Sequence, residues 1–207
     1  MRIANPDRLL TAADLSATLL FAIEGATAAV LAGADLFGIV VIAFVTALGG
    51  GIIRDVVIGD LPVAAVRWVR YPAVALSGAA IVIVLYQSVE RLAPELIMVL
   101  DACGLGLFCV AGAAKARDLG LSVLPAALVA TITGCGGGMI RDVLLNQIPI
   151  VLRQHIYAVA ALAGAVAMLL LDRLGAPRWL SMSVGAAVAT TLRVLSVVLN
   201  WNLPEIH

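Results

Sequence analysis

Two Arg-Asp dipeptides lie inside long apolar segments of this sequence, Arg54 with Asp55 and Arg141 with Asp142. A charged side chain near the centre of a bilayer costs about 2.5–3.5 kcal/mol on insertion scales, so each dipeptide needs a polar environment. Adjacent residues of a helix point about 100° apart. We therefore expect each charge to pair with a group on another helix, such as the opposite charge of the other dipeptide. Such charges either fix helix packing as ion pairs or line an aqueous path and tune its electrostatics.

Three consecutive glycines stand just before each dipeptide, at 49–51 and at 136–138. Each glycine disfavours a helix by about 1 kcal/mol relative to alanine. Backbone groups freed in lipid must find partners, which a water-filled cavity would supply. Close crossing of two helices through small residues is the alternative. Because the run occurs twice and is followed each time by Arg-Asp, we expect a helix break that faces a cavity.

Two further charged residues lie within apolar segments. Glu24 is expected to pair with Arg54, Arg141 or Arg193, or to act as a cation site. Arg193, in the last apolar segment, is expected to pair with an acidic group. Both residues are therefore candidates for the same polar environment as the two dipeptides.

Thr46 and Thr133 stand about one helical turn before the glycines. Their hydroxyl groups either point toward ions or bond to the carbonyls of the preceding turn. Asp14 and Asp101 stand near the start of their apolar segments, where we predict that they cap the helix N-termini.

The composition places the chain in a membrane. Of its 207 residues, 63% are hydrophobic and 13% are charged, and the mean hydropathy is +1.11. A soluble domain has about a quarter of its residues charged. Thirteen basic residues balance thirteen acidic ones, which leaves no basic excess for binding nucleic acid. The sequence has no plausible nucleophile-base or metal constellation, so we predict no enzyme activity, no cofactor, and no metal beyond transient potassium or sodium.

An all-α membrane protein of seven transmembrane helices is predicted, because aromatic residues are only 5% of the chain and girdles for a β-barrel are lacking. Seven apolar runs are long enough to span a bilayer: 11–31, 36–58, 68–89, 96–115, 121–145, 155–172 and 178–200.

The chain contains an internal repeat. A shift of 87 residues superimposes the segment 49–55 on 136–142, both of the pattern Gly-Gly-Gly-x-x-Arg-Asp. Each unit holds three predicted spans, and an odd number of crossings inverts the second copy. The predicted single membrane domain, 1–207, is thus divided into repeat 1 (11–89), repeat 2 (96–172, inverted) and a seventh helix (178–200). Further matched pairs are Asp14 with Asp101, Phe21 with Phe108, Gly25 with Gly112, and, at a shift of 86, Tyr71 with Tyr157.

The basic residues predict the orientation. Only Arg91 and Arg153 fall on the second side, and the positive-inside rule then places the N-terminus in the cytoplasm. The first side carries eight: Arg2, Arg8, Arg67, Arg70, Lys115, Arg117, Arg173 and Arg178.

The doubled Gly-Gly-Gly-x-x-Arg-Asp motif, on the second and fifth of seven helices, resembles bacterial members of the trimeric intracellular cation channel (TRIC) family. The resemblance covers essentially the whole chain. It implies a multi-pass cell-membrane homotrimer, surrounded by lipid, in which each protomer conducts monovalent cations, chiefly potassium, between the two broken helices. The pore residues that the motif implies are Gly49, Gly50, Gly51, Arg54, Asp55, Gly136, Gly137, Gly138, Arg141 and Asp142.

A second function comes from the same resemblance. The bacterial domain is also labelled UPF0126 or glycine transporter, and inverted repeats with broken helices suit alternating access as well as a channel. The alternative is therefore a secondary transporter of glycine or another small neutral solute. Animal TRIC members are described with a cytoplasmic C-terminus, which conflicts with the orientation that the basic residues predict, and we retain the latter.

Overall fold

The computed structural model describes residues 7–153 and 156–201, with side chains at 7–86, 96–153 and 156–201. Throughout this part of the chain the regular elements are helices, which confirms the all-α prediction. Arg2 and the side chain of Arg91, both used to predict the orientation, lie outside the described residues. The helices are α1 (Arg8–Leu31), α2 (Leu36–Val57), α3 (Ala64–Arg67), α4 (Arg70–Val84), α5 (Tyr86–Asp118), α6 (Val123–Leu144), α7 (Ile150–Arg153), α8 (Tyr157–Arg173) and α9 (Arg178–Val198).

Five of these helices are long and apolar enough to cross a membrane: α1, α2, α6, α9 and the segment Leu96–Asp118 of α5. The chain is therefore a multi-pass membrane protein. The remaining long helices, α4 with 15 residues and α8 with 17, are shorter than the spans predicted from sequence. Residues 90–95, expected to link two spans, are instead helical and belong to α5, which Leu85 alone separates from α4.

The helix order of α1 to α4 recurs in α5 to α8. In the first group α1 packs against α2 and α4, and α2 against α4; in the second, α5 packs against α6 and α8, and α6 against α8. The turns after α1 and α5 also match, because Gly33 and Gly120 both have a positive φ, of 74° and 85°. Such a left-handed residue commonly ends a helix, and glycine adopts it without strain.

The two groups meet through α1 with α5 and through α2 with α6, while α9 packs on α5 and α8. At the first contact the rings of Phe21 and Phe108 stack with centroids 5.2 Å apart, and both residues are buried. Phe21 and Phe108 are partners in the internal repeat, so equivalent residues meet where the two groups join.

The expected break at glycines 49–51 and 136–138 is wrong. Both α2 and α6 continue through their glycines as unbroken helices. A Cβ atom at Gly50 would lie 2.2 Å from the carbonyl oxygen of Thr133, and one at Gly137 would lie 2.1 Å from that of Thr46. The glycines therefore allow α2 and α6 to pack backbone against backbone, the alternative considered from sequence. The unbroken helices also keep the backbone groups bonded in lipid.

Candidate functional site

A buried guanidinium organises the first charged site. Arg54 Nη1 lies 2.8 Å from Asp14 Oδ1, and Arg54 Nε lies 2.8 Å from Asp55 Oδ1. The hydroxyl group of Tyr71 donates to Asp14 Oδ2 at 2.7 Å. Arg54, Asp14 and Asp55 are almost fully buried. The Asp14 carboxylate thus joins α1 to Arg54 of α2 and to Tyr71 of α4.

The same network extends to α5 through Lys115. Its Nζ lies 2.6 Å from Asp55 Oδ1 and 2.7 Å from Asp60 Oδ2. Arg67 Nη2 contacts Asp60 Oδ1 at 2.9 Å, and the Ala64 backbone N–H donates to Asp55 Oδ2 at 2.8 Å. Asp55 therefore connects the end of α2 with both α3 and α5. We call Asp14, Arg54, Asp55, Asp60, Arg67, Tyr71 and Lys115 the Arg54 cluster.

Asp60 lies outside the membrane-spanning helices, and its ionisation reflects its two cationic neighbours. Partial burial acts to raise the pKa of Asp60, but hydrogen bonds from Lys115 and Arg67, together with their positive charges, hold it below its ordinary value. Asp60 is thus a stable anion that anchors Lys115.

A small cavity lies beside the Arg54 cluster, with room for about one water molecule. Asp14 and Thr18 line it from α1, Gly51 and Arg54 from α2, and Tyr71 from α4. The cavity thus combines charged and hydroxyl groups of the first helix group, and Phe108 of α5 also lines it.

The second site is built around Arg141. Its Nη1 contacts Glu24 Oε1 of α1, and its Nη2 lies 2.7 Å from Asp142 Oδ1. The Ile150 backbone N–H donates to Asp142 Oδ2 at 2.8 Å, as Ala64 does to Asp55 in the first site. Of the three partners proposed for Glu24 from sequence, Arg141 is the one that the structure selects.

Asp101 and Arg193 lie next to this pair. Tyr157 donates to Asp101 Oδ1 at 2.6 Å, and Arg193 Nε lies 2.9 Å from Asp101 Oδ2. The expected pairing of Arg193 with an acidic group is confirmed. A Cβ atom at Gly138 would lie 3.7 Å from the Tyr157 hydroxyl and 3.9 Å from Arg141 Nη2, so the two groups adjoin. We call Glu24, Asp101, Arg141, Asp142, Tyr157 and Arg193 the Arg141 cluster.

Two predictions about these charges are wrong. Asp14 and Asp101 do not cap helices, because α1 begins at Arg8 with Asp7 as its cap, and α5 begins at Tyr86. Their carboxylates instead hold arginines inside the protein. The two dipeptides also do not pair with each other, and each arginine contacts the aspartate next to it in sequence. The broader expectation of partners on another helix is met by both arginines, each of which contacts an acidic side chain of α1.

Thr46 and Thr133 support the contact between α2 and α6. Their hydroxyl groups donate to the carbonyls of Ile42 and Val129, four residues earlier, at 2.6 Å each. Of the two roles proposed from sequence, contact with ions or a bond to the preceding turn, the structure shows the bond to the preceding turn. Because a Cβ atom at Gly25 would lie 2.5 Å from Thr46 Oγ1, α1 also packs closely here.

Sequence reasoning did not assign Tyr71, Tyr157 or Lys115 to the site. Both tyrosines hold the buried aspartates Asp14 and Asp101 in place. The internal repeat could have identified the tyrosines, because it pairs Tyr71 with Tyr157 and Asp14 with Asp101. Lys115 was used only to predict the orientation, as a basic residue near a helix end.

Comparison with known proteins identifies relatives in bacterial membranes. The family described as "Glycine transporter" matches residues 11–87 and again residues 98–173. The chain is similar to a UPF0126 membrane protein of Vibrio cholerae, with 41% identity over 158 residues that cover 76% of this chain and 66% of that relative. It is also similar to the UPF0126 inner membrane protein YadS of Escherichia coli, with 41% identity over 156 residues and 74% of each chain covered. The chain thus spans between about two thirds and three quarters of the length of these relatives.

Solved structures share the fold. The TRIC trimeric intracellular cation channel orthologue from Rhodobacter sphaeroides is 34% identical, has a TM-score of 0.89, and matches over 94% of this chain and 100% of that one. Another TRIC cation channel is 34% identical, with a TM-score of 0.86 and coverage of 95% and 97%. These matches confirm the resemblance to TRIC channels. They also confirm the prediction that the chain is not an enzyme, because the relatives are channels and membrane proteins.

Proposed function

The chain belongs to the membrane-protein family described as glycine transporters, whose fold it shares with TRIC channels, and on this premise we propose that it is a potassium-permeable cation channel. The path runs within each protomer, along the contact between α2 and α6. The Arg54 and Arg141 clusters flank the contact. The charges of both clusters are removed from water inside the protein, which is costly, and a conduction path gives a use for a costly feature that occurs twice.

The observation that carries the proposal is the backbone contact between the two glycine runs. The carbonyl groups of Thr46 and Thr133 each face a glycine of the opposite helix. A small separation of α2 from α6 would expose these oxygens, which can replace part of a cation's hydration shell. The proposed pore residues are therefore the glycines 49–51 and 136–138, the two threonines, both Arg-Asp dipeptides and Glu24.

The described conformation corresponds to a closed path. Arg54 bridges Asp14 and Asp55, and Lys115 bridges Asp55 and Asp60. These carboxylates are therefore paired with cationic side chains and are not available to a permeating cation. Opening requires that at least one of these ion pairs separates. The ion pairs thus serve as closing contacts as well as packing contacts.

Seven crossings with an inverted repeat fit this path. The groups α1 to α4 and α5 to α8 have the same internal contacts, and the same family matches both stretches.

With α9 as a seventh span, the N-terminus is cytoplasmic by the bias of basic residues. Single cysteines replacing Ala32 and Leu174 in a cysteine-free variant test this. An impermeant thiol reagent added outside intact cells should label position 32, and labelling of position 174 instead would invert the orientation.

Assembly as a homotrimer in the cell membrane is part of the proposal. The Rhodobacter sphaeroides relative is described as trimeric, and this chain matches it over nearly its whole length. Native mass measurement in mild detergent should give three copies. A dominant monomer or dimer would contradict the trimer.

The direct test is potassium flux into liposomes that contain only this protein. Unitary currents that reverse at the potassium equilibrium potential would establish a channel. Empty liposomes prepared in parallel give the background. Saturable flux without resolvable currents would contradict conduction through an open pore.

A carrier for glycine or another small neutral solute is the second candidate, and the description of the family favours it. An inverted repeat is compatible with alternating access around a central site. A carrier would give saturable uptake and counterflow of labelled glycine at rates far below those of a channel. Counterflow in the same liposomes therefore decides between the two candidates.

A further inference from the structure

One oxygen of the Arg141 cluster is buried without a hydrogen-bond partner in the described part of the chain. Glu24 has no solvent exposure, its Oε1 accepts from Arg141 Nη1, and its Oε2 has no partner. A charged carboxylate oxygen that is removed from water and receives no donor is strongly disfavoured. Glu24 therefore differs from the two other acids of its cluster. Asp101 and Asp142 each have a partner on both oxygens.

The charges around Glu24 do not balance among the described side chains. Three carboxylates of the Arg141 cluster face two guanidinium groups, whereas the Arg54 cluster has three of each sign. The ionisable groups beside Glu24 are Arg141 and Asp142 of α6, Asp101 of α5, Tyr157 of α8 and Arg193 of α9.

The other helices that pack against α1 do not correct the imbalance. The charged groups of α2 and the Tyr71 hydroxyl of α4 gather around Asp14, ten residues and about 15 Å away along α1. Beside Gly25, α2 presents the hydroxyl of Thr46, which is committed to the carbonyl of Ile42. Lys115, on α5, is held by Asp55 and Asp60 in the Arg54 cluster.

We propose that Glu24 is a proton-binding site, protonated in the closed conformation and deprotonated when the path opens. The proposal rests on the proposed channel function. The proton comes from water, binds Oε2, and leaves Oε1 free to accept from Arg141. Two carboxylates then face two guanidinium groups. A metal ion fits less well, since it needs several oxygen ligands, and the described residues contain no group of His, Cys, Asp and Glu side chains that could hold one.

Proton release adds one negative charge to the path. Water must then enter to solvate Oε2, which favours separation of α2 from α6, and the charge attracts cations. We expect potassium flux to be low at acidic pH and to rise as the pH increases. The rise should be roughly tenfold, the effect of one unit charge on a cation about 10 Å away.

Infrared difference spectroscopy of the reconstituted protein between about pH 5 and about pH 9 tests the site directly. A carbonyl band of a protonated carboxyl group should be present at low pH and lost at high pH. Labelling the glutamates with ¹³C should shift it. The band should be absent in Glu24→Gln and retained in Asp35→Asn, which changes an exposed cap of α2. A missing band, or one that Glu24→Gln retains, would overturn the proposal.

Potassium flux provides an independent measurement. Glu24→Gln keeps an acceptor for Arg141 but cannot ionise, so its flux should stay low at every pH. A full pH-dependent rise in this variant would overturn the link between proton release and opening. If the variant does not fold, a ¹³C-glutamate-labelled variant with glutamine at positions 90, 95 and 205, in which Glu24 is the one glutamate left in the sequence, decides the site: loss of the shifted band there would overturn the proposal. If wild-type protein conducts no cations, the channel function fails, while the infrared band still decides whether Glu24 binds a proton.

Discussion

Arg141 contacts Glu24, although the repeat equivalent of Arg54's partner Asp14 is Asp101. This difference in partners follows from α9, which has no counterpart in the first helix group. Arg193 of α9 forms an ion pair with Asp101, and Arg141 pairs with Glu24 of α1 instead. Two sites built from equivalent residues thereby acquire different partners. The difference concentrates the excess acidic charge of the described side chains at the second site.

The glycine contact makes a sharp prediction about side-chain volume. Gly50→Ala places a Cβ 2.2 Å from the Thr133 carbonyl oxygen, a clash with backbone that only separation of α2 from α6 relieves. We expect it to destabilise the protein by about 1–3 kcal/mol or more, measured by unfolding in detergent. Gly51→Ala is the matched control, because its nearest neighbour outside its own helix backbone, Arg54 Nη2, would lie 3.7 Å away and alanine favours helix. Equal losses in both variants would contradict this account.

The buried pair of Arg54 with Asp14 is expected to be strongly coupled. Arg54→Ala leaves the buried Asp14 carboxylate without its cation, while Asp55 keeps Lys115, and we expect a cost of about 3–5 kcal/mol. Asp14→Asn in the same chain should recover part of that loss in a double-mutant cycle of unfolding free energies. Arg117→Ala, which removes a half-exposed charge 3.9 Å from Asp172, should change stability by less than about 0.5 kcal/mol. Additive losses for Arg54 and Asp14 would show that the two side chains are not coupled.

Lys115 is predicted to hold the path closed. Lys115→Gln removes the cation that bridges Asp55 and Asp60, which frees α2 and the segment after it from α5. Potassium flux into liposomes should increase several-fold over the wild type. Arg117→Gln, two residues along the same helix, provides the control and should leave flux unchanged. A lower flux in Lys115→Gln, with the protein still folded, would assign Lys115 to conduction rather than closure.

Asp60 should make stability depend on acidity. Because its pKa is lower in the folded protein than the ordinary value, its contribution is present above about pH 4 and is lost as the pH falls through the folded-state pKa. Asp60→Asn should therefore be less stable near neutral pH and lose less stability on acidification than the wild type. Unfolding in detergent as a function of pH measures both slopes. Asp172→Asn, which removes a weaker contact of 3.9 Å with Arg117, is the control and should change the stability near neutral pH by less than about 0.5 kcal/mol.

Helix propensity alone did not predict the conformation of the glycine runs at 49–51 and 136–138. Glycine lowers helix propensity, so a sequence with three in succession predicts a break. Whether the helix breaks depends on what lies opposite, and α6 is 87 residues further along the chain. The contact of Gly50 with Thr133, and of Gly137 with Thr46, outweighs propensity because each helix gains close packing along its length.

The sequence by itself determined the membrane class, the approximate helix positions, the repeated motif and which residues carry buried charge. These follow from local composition, since an apolar run of sufficient length forms a helix in lipid wherever it stands in the chain. Only the tertiary structure decided the partners. Arg54 selects Asp14, Arg141 selects Glu24 and Asp101 receives Arg193 because ion pairing depends on distances of a few ångströms between different helices. Helix packing, which no single segment contains, sets those distances.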